Sequence, residues 1–184
     1  MRRTEALRAR AAARASVIPT GTWTVDPARS TVAFRLRHLM VVPVRGRFDT
    51  FEGTVTVEPG GRTHARGCVK VATLDTGDAV RDERLRGPEF FDVQNSPEIS
   101  FASTSVESLD DESLRIAGEL TIGQITRELV LLARQKAARP ESIELDVSGE
   151  LSRREFGIES PQLLDAGISD KVELALAISL HKDG

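Results

Sequence analysis

Apolar and polar residues alternate along most of the chain that follows Thr22. Strict alternation is typical of β-strands that have one face in water and the other against an apolar interior. The pattern therefore predicts an all-β domain, with its interior built from the apolar members of five stripes: Val32, Phe34, Leu36 and His38; Phe51, Val55 and Val57; Leu114, Ile116, Leu120 and Ile122; Ile143, Leu145, Val147 and Leu151; and Val172, Leu174, Leu176, Ile178 and Leu180.

Turn-forming residues separate these stripes. The segments EPGGR (58–62), LDDES (109–113) and ARPES (138–142) are rich in Gly, Pro and Asp. Strands at this spacing predict an antiparallel sandwich or barrel. The single cysteine, Cys68, excludes an internal disulfide of the immunoglobulin kind. Every strand has one face toward water and one toward a common apolar interior, and this pattern favours a closed barrel over a sandwich.

Residues 74–98 interrupt the alternation. Asp75 or Asp78 can cap a short helix over Ala79–Arg86, which Gly87 and the following proline would end. Two adjacent phenylalanines, Phe90 and Phe91, come next. We interpret the segment as a helix-and-loop flap (about 75–92) over an opening of the barrel. The alternative is a surface crossover whose phenylalanines anchor in the core. Both interpretations bury the pair.

Composition narrows the function classes. The 184 residues favour one domain, and the 40% apolar content suffices for a core. A net charge of -3 and few aromatic residues give no general case for nucleic-acid binding. The three histidines, His38, His64 and His181, are far apart in sequence. We therefore predict no metal site and no cofactor.

The first nineteen residues are rich in Arg and Ala. We predict a flexible basic tail over 1–19 and the barrel domain over 20–184. Arg8, Arg10 and Arg14 interrupt every candidate apolar core of a secretion signal, and no run is long enough for a transmembrane segment. These features predict a cytoplasmic protein. Transient contact of the tail with a membrane surface is the alternative to a tail without a role.

The stretch RLRHLMVVPVRGRF, residues 35–48, holds the first candidate for chemistry. His38 shares its parity with the inward-facing residues of its stripe, whereas Arg35 and Arg37 have the outward parity. Pro43 and Gly46 predict a break where the strand bends. His38 is therefore either a structural residue or the polar end of an apolar interior.

Several motifs in order resemble the YceI family of polyisoprenoid-binding and other lipid-binding proteins. They are TWTVDPARSTVAFRLRHL with VRGRFDTFEGTVTV, then DTGDAVRDERLRGPEFFDVQNSPEISFASTSVE, then GELTIGQITRELVLL, and finally SRREFGI. Together they cover the chain from about residue 22 to 182. One departure is Arg29, which stands where the family often has histidine.

The resemblance implies a lipocalin-like, eight-stranded antiparallel β-barrel with a long apolar tunnel. Family members hold isoprenoid chains, including isoprenoid quinone precursors, without changing them chemically. Some are periplasmic and some form dimers. The expected ligand is thus an isoprenoid or a similar long-chain lipid, bound by a protein that is not an enzyme, with a homodimer as a further expectation.

The expected ligand-binding residues fall into two groups. The apolar lining is predicted to comprise Phe34, Leu36, Phe48, Phe51, Val55, Leu85, Phe90, Phe91, Phe101, Leu120, Ile122, Leu145, Val147, Leu174 and Leu176. A polar head group is predicted to meet His38, Arg45, Asp82 and Arg84.

Three functions remain open at this point. The first is non-enzymatic binding, storage or transport of the lipid. The second is an enzyme acting on a lipid head group, with His38 as general acid–base and Asp82 orienting it. The third is an interaction or stress-response module whose barrel is filled by side chains.

Overall fold

A computed structural model of the chain describes residues 17–39, 41–159 and 167–184. The alternating segments form strands and the interrupting segment contains a helix, as the sequence predicts. The elements are β1 (Gly21–Val25), β2 (Thr31–His38), β3 (Val42–Phe48), β4 (Phe51–Val57), β5 (Thr63–Lys70), β6 (Leu74–Asp75), α1 (Ala79–Arg86), β7 (Glu98–Ser108), β8 (Ser113–Ile122), β9 (Ile125–Arg139), β10 (Ser142–Ser152) and β11 (Lys171–Lys182).

The strands close into a ring. Antiparallel pairing runs in the order β1, β4, β5, β7, β8, β9, β10 and β11, and β11 then pairs with β1. The free edge of β11 is shared, because β2 pairs with it at residues 173–177 and β1 at residues 180–182. Strands β1 and β2 therefore act as one broken strand, as do β3 and β4, and also β5 and β6, which pair with β4 and β3 respectively. The predicted lipocalin-like, eight-stranded antiparallel barrel is confirmed.

One end of the barrel is filled with side chains. Trp23, Ile18, Val57 and Ile143 are at most 2% exposed and belong to one hydrophobic cluster. The Trp23 Nε1–H donates to the carbonyl oxygen of Pro19 at 2.9 Å, so the indole is both packed and hydrogen-bonded. We call this the closed end.

The closed end extends the packed unit beyond its predicted boundary. Val17 and Ile18, which the sequence assigns to the flexible tail, are buried against the cluster. Apolar side chains this close to a hydrophobic core pack into it because burial outweighs the entropy of the free chain. The rest of the predicted tail, residues 1–16, lies outside the described residues.

The prediction of a bend at Pro43 and Gly46 is wrong. Strand β3 runs without interruption from Val42 to Phe48 and pairs with β2 along its whole length. Pro43 is tolerated because β6 pairs with β3 only at residues 47 and 48, which leaves the proline on an unpaired edge. Gly46 faces the interior, where the Phe34 ring occupies the space that a side chain at residue 46 would need.

The helix forms where the sequence predicts it. Asp78 supplies the cap, since its carboxylate accepts the backbone N–H groups of Val80 and Arg81 at 3.1 and 3.0 Å. The chain turns at Gly87, whose N–H donates to the carbonyl oxygen of Arg84. The other candidate cap, Asp75, instead accepts the N–H of Gly77.

Candidate functional site

A cavity of about 590 Å³ lies inside the barrel, and none of the four residues named for the closed end borders it. Its walls are contributed by the inward-facing stripes of the strands, together with α1 and the loop that follows it. All fifteen residues of the predicted apolar lining border this cavity. Their contact with a ligand stays a prediction, but their common placement makes the cavity a continuous apolar surface.

Two glycines keep the cavity open. A Cβ atom on Gly46 would lie 2.3 Å from Cζ of Phe34, and one on Gly118 would lie 2.4 Å from Cζ of Phe101. Each aromatic ring thus lies flat over a glycine instead of projecting into the interior. The ring takes the space of the missing side chain, so less of it extends into the cavity. This explains why the chain has glycine inside β3 and β8.

The flap closes part of the open end. Leu85, Phe90 and Phe91 all border the cavity, and the loop is fixed to the helix because the Phe91 N–H donates to the Leu85 carbonyl at 3.0 Å. The guanidinium of Arg84 lies 5.7 Å from the ring centre of Phe90. Of the two interpretations of this segment, the geometry agrees with the flap over a cavity.

The four predicted polar residues separate into two pairs. His38 and Arg84 border the cavity. The His38 imidazole makes no hydrogen bond or ion pair with any described residue, so its ring nitrogens are available to a ligand.

Arg45 and Asp82 do not border the cavity, and their predicted placement at its polar end is wrong. Arg45 is exposed on the outer face of β3, opposite Arg35. Asp82 is buried, and its carboxylate accepts the N–H and the hydroxyl of Thr76 at 3.0 and 2.6 Å. Asp82 therefore fastens α1 to the chain that leaves β6.

The predicted site leaves out several polar residues of the lining, and two of them are arginines held by hydrogen bonds. Arg81 borders the cavity and donates through Nε to the Thr76 hydroxyl at 2.8 Å. Arg153 borders it as well, is 5% exposed, and donates to the carbonyl oxygens of Ser169, Ile158 and Ile168. The signal for Arg153 was available in the motif SRREFGI, which was used only for the resemblance.

Asp170 holds the segment that carries Arg153. Its carboxylate accepts the Ser152 hydroxyl at 2.8 Å and the Arg154 backbone N–H at 3.0 Å. Burial alone would raise the pKa of Asp170, but these hydrogen bonds and the charges of Arg154 and Arg153 outweigh it and hold the pKa below its ordinary value of 3.8.

This depressed pKa predicts an acid-dependent stability. The ionised Asp170 stabilises the fold at and above its ordinary pKa, and the contribution is lost as the pH falls through the lower pKa of the folded state. We expect Asp170→Asn to lower the free energy of unfolding by about 2 kcal/mol at pH 6. The difference from wild type should shrink as the pH falls below the ordinary pKa of 3.8. Urea unfolding at a series of pH values measures both, and a difference that is independent of pH would contradict the assignment.

Neither a metal centre nor a spanning helix is visible in the described part of the chain. Residues 17–39, 41–159 and 167–184 contain no cluster of three or more His, Cys, Asp or Glu side chains that could hold a metal ion. Within the same ranges, no helix has both the length and the apolar character needed to cross a bilayer.

Known structures share the barrel. The BcnA protein of Burkholderia cenocepacia superimposes with a TM-score of 0.76 at 23% identity, over 84% of this chain and 98% of that one. The polyisoprenoid binding domain from Saccharophagus degradans implicated in plant cell wall breakdown gives a TM-score of 0.71 at 15% identity, over 88% of this chain and 98% of that one.

Sequence comparison is more specific than the shared fold. Protein YceI of Salmonella newport (strain SL254) is 31% identical over 155 residues, which are 80% of this chain and 78% of that protein. The family model described as a YceI-like domain matches residues 23–180, from the tryptophan of the closed end to the end of the last inward stripe. The chain therefore belongs to the YceI-like family.

Proposed function

We propose that the protein binds an isoprenoid, or a similar long-chain amphiphilic lipid, in the barrel cavity without changing it chemically. The observation that carries the proposal is the cavity of about 590 Å³, apolar along its length and blocked at the closed end. Its volume lies within the roughly 300–1,000 Å³ of small-molecule sites. An apolar chain gains about 25 cal/mol for each Å² removed from water, so such a lining needs no reactive group to bind it.

The similar barrel from Saccharophagus degradans is a polyisoprenoid binding domain, which supports the same ligand class. The cavity also argues against the third function, since a barrel filled by side chains would leave no space for a lipid. Three points stay predictions: the storage or transport of the lipid, the formation of a homodimer, and the cytoplasmic location.

The groups that an enzyme would need for catalysis are engaged in other contacts or poorly suited to it. The Asp82 carboxylate is taken by Thr76, so it does not orient His38. Burial, followed by the charges of Glu98 and Glu52, raises the pKa of the Cys68 thiol, which is the opposite of what a nucleophilic thiolate requires. These contacts support a role in binding over a role in catalysis.

Solvent extraction of gently purified protein, followed by mass spectrometry, tests the proposal. We expect a long-chain lipid in stoichiometric amount, and the emptied protein should take up isoprenoids added at micromolar concentration. A protein that emerges empty and ignores isoprenoids and fatty acids would refute the proposal. A lipid returned in altered chemical form would favour the enzyme.

His38→Ala separates binding from catalysis. We expect this variant to retain its lipid with at most about a fivefold loss of affinity, the equivalent of one hydrogen bond of about 1 kcal/mol. Titration of the emptied variant with a fluorescent isoprenoid measures the affinity. A variant that binds normally but no longer modifies an added lipid would support the enzyme instead.

A further inference from the structure

The open end of the barrel exposes a group of apolar side chains. Leu39, Val41 and Val42, at the turn between β2 and β3, are 59%, 78% and 50% exposed, and Val80 on α1 is 82% exposed. They are four of the six large apolar side chains exposed among the described residues. We call these four residues the mouth rim. An exposed apolar group of this kind marks a contact site.

The two segments of the mouth rim adjoin residues that line the cavity. Strand β6 pairs antiparallel with β3, so the chain leaves β6 toward the β2–β3 turn and then forms α1. Leu36 and His38 from β2 border the same cavity as Arg84 and Leu85 from α1. The two exposed apolar segments therefore belong to the end at which a ligand enters.

Leu39 and Val41, on the two sides of the turn, are anchored by their backbone. Leu39 has a φ of 51°, a conformation that residues with branched side chains rarely adopt. Its N–H donates to the carbonyl oxygen of Gly167 at 2.6 Å, and the Val41 N–H donates to the His38 carbonyl at 3.3 Å. These hydrogen bonds offset the cost of the conformation. The backbone N–H groups of Leu39 and Val41 are thus both held by hydrogen bonds.

Positive charge accompanies the apolar side chains. Residues 31–48 contain four Arg and one His but no Asp or Glu, although the whole chain has a net charge of -3. Arg37 and Arg45 are exposed on β2 and β3, and neither forms an ion pair with a described residue. The nearby Glu173 is hydrogen-bonded to Arg35, which lowers its pKa and keeps it ionised. Arg37 and Arg45 therefore leave the outer face of β2 and β3 basic beside the turn, whereas Val80 on α1 lies between Asp78 and Glu83 in sequence.

We propose that the mouth rim, with Arg37 and Arg45, docks the protein on the surface of an anionic lipid bilayer. Short apolar side chains beside arginines suit the boundary between head groups and acyl chains, where apolar burial and attraction to anionic lipids add. Docking there places the cavity entrance against the membrane, so a lipid enters without crossing water. That role in loading rests on the proposed function, whereas docking itself does not.

Flotation with vesicles tests the apolar part of the surface. We expect the full chain to float with phosphatidylcholine vesicles that contain phosphatidylglycerol. Val41→Asp combined with Val80→Asp should lower the partition coefficient at least tenfold, because each valine loses its apolar burial. The control is Leu109→Asp combined with Leu132→Asp, which are 48% and 50% exposed and do not border the cavity. This control should float like wild type.

The charge of the surface is tested separately. Arg37→Ala combined with Arg45→Ala should lower the partition coefficient about 25-fold, since each arginine near an anionic membrane contributes about fivefold. The matched control is Arg62→Ala combined with Arg139→Ala, which removes the same charge from the turns at the closed end. Raising the salt concentration should weaken wild-type binding and leave little further effect of the Arg37 and Arg45 changes.

Three outcomes would overturn the docking surface. The first is a wild-type chain that does not bind anionic vesicles. The second is a loss of binding in the variant pairs that is no larger than in their controls. The third is a change of sedimentation mass in the mouth-rim variants, which would identify a second copy of the chain as the occupant. Lipid extraction distinguishes this proposal from the proposed function. A chain that emerges empty but floats normally refutes the proposed function and leaves the docking surface standing.

Discussion

Leu176→Trp is expected to remove nearly all co-purified lipid while leaving the barrel folded. Leu176 lies in the middle of β11 and borders the cavity, as do its neighbours across the sheet, Val147 and Val32. The larger side chain has empty space to enter, so it does not overpack a filled core. We expect the free energy of unfolding to change by at most about 1 kcal/mol.

The loss of binding follows from the area that the ring takes from the ligand. A tryptophan side chain buries about 200 Å², and if half of this replaces ligand contact, roughly 100 Å² of ligand burial is lost. At about 25 cal/mol per Å² this is about 2.5 kcal/mol, or about a 70-fold weaker affinity. Titration of the emptied protein with a fluorescent isoprenoid measures the affinity directly.

The neighbouring residue supplies the control. Ala177 is exposed on the outer face of β11, so Ala177→Trp adds the same ring outside the barrel. It should bind lipid like wild type. If both variants bind equally well, or if both fail while remaining folded, the lipid does not occupy the cavity.

The alternation of the sequence predicted the inner wall because register and burial are local consequences of strand geometry. Once Leu174, Leu176 and Ile178 are assigned to one face, their neighbours on the paired strands must face the same interior. The number of strands came from the resemblance. The three broken strands could not be inferred from alternation, since the breaks at residues 26–30, 49–50 and 71–73 preserve both direction and pairing.

Gly46 shows why a locally reasonable prediction was wrong. A glycine two residues before the end of a strand commonly indicates a bend. Its actual cause is Phe34 on the neighbouring strand, whose ring occupies the place of a side chain at residue 46. Nothing within β3 carries this information, because the constraint arises only when the two strands pair.

Contacts with residues that are distant in sequence also determine where the polar residues of the site lie. Asp82 and Arg84 lie two positions apart in α1, yet one is buried against Thr76 and the other faces the cavity entrance. A short polar helix offers no apolar stripe from which its orientation could be inferred. Arg153 was missed for a similar reason, since the carbonyl groups that it joins belong to residues 158 and 168–169.

The barrel separates stability from binding along its length, and a pair of substitutions on one strand measures the separation. Ile143 on β10 is 0% exposed at the closed end and does not border the cavity, whereas Leu151 on the same strand is only half-buried and borders it. We expect Ile143→Ala to lower the free energy of unfolding by about 4 kcal/mol, because it removes a fully packed side chain. Leu151→Ala should cost about 2 kcal/mol or less, because its side chain already borders empty space.

Urea unfolding of the lipid-free protein measures both changes, and lipid titration provides the second readout. Leu151→Ala should weaken lipid binding, whereas Ile143→Ala should leave it close to wild type wherever the variant is folded. The physical reason is that the closed end has its side chains already in contact, while the open end has left those contacts to a ligand. Equal losses of stability from the two substitutions would mean that the emptied barrel collapses around its cavity, and that the closed end is not where the fold is stabilised.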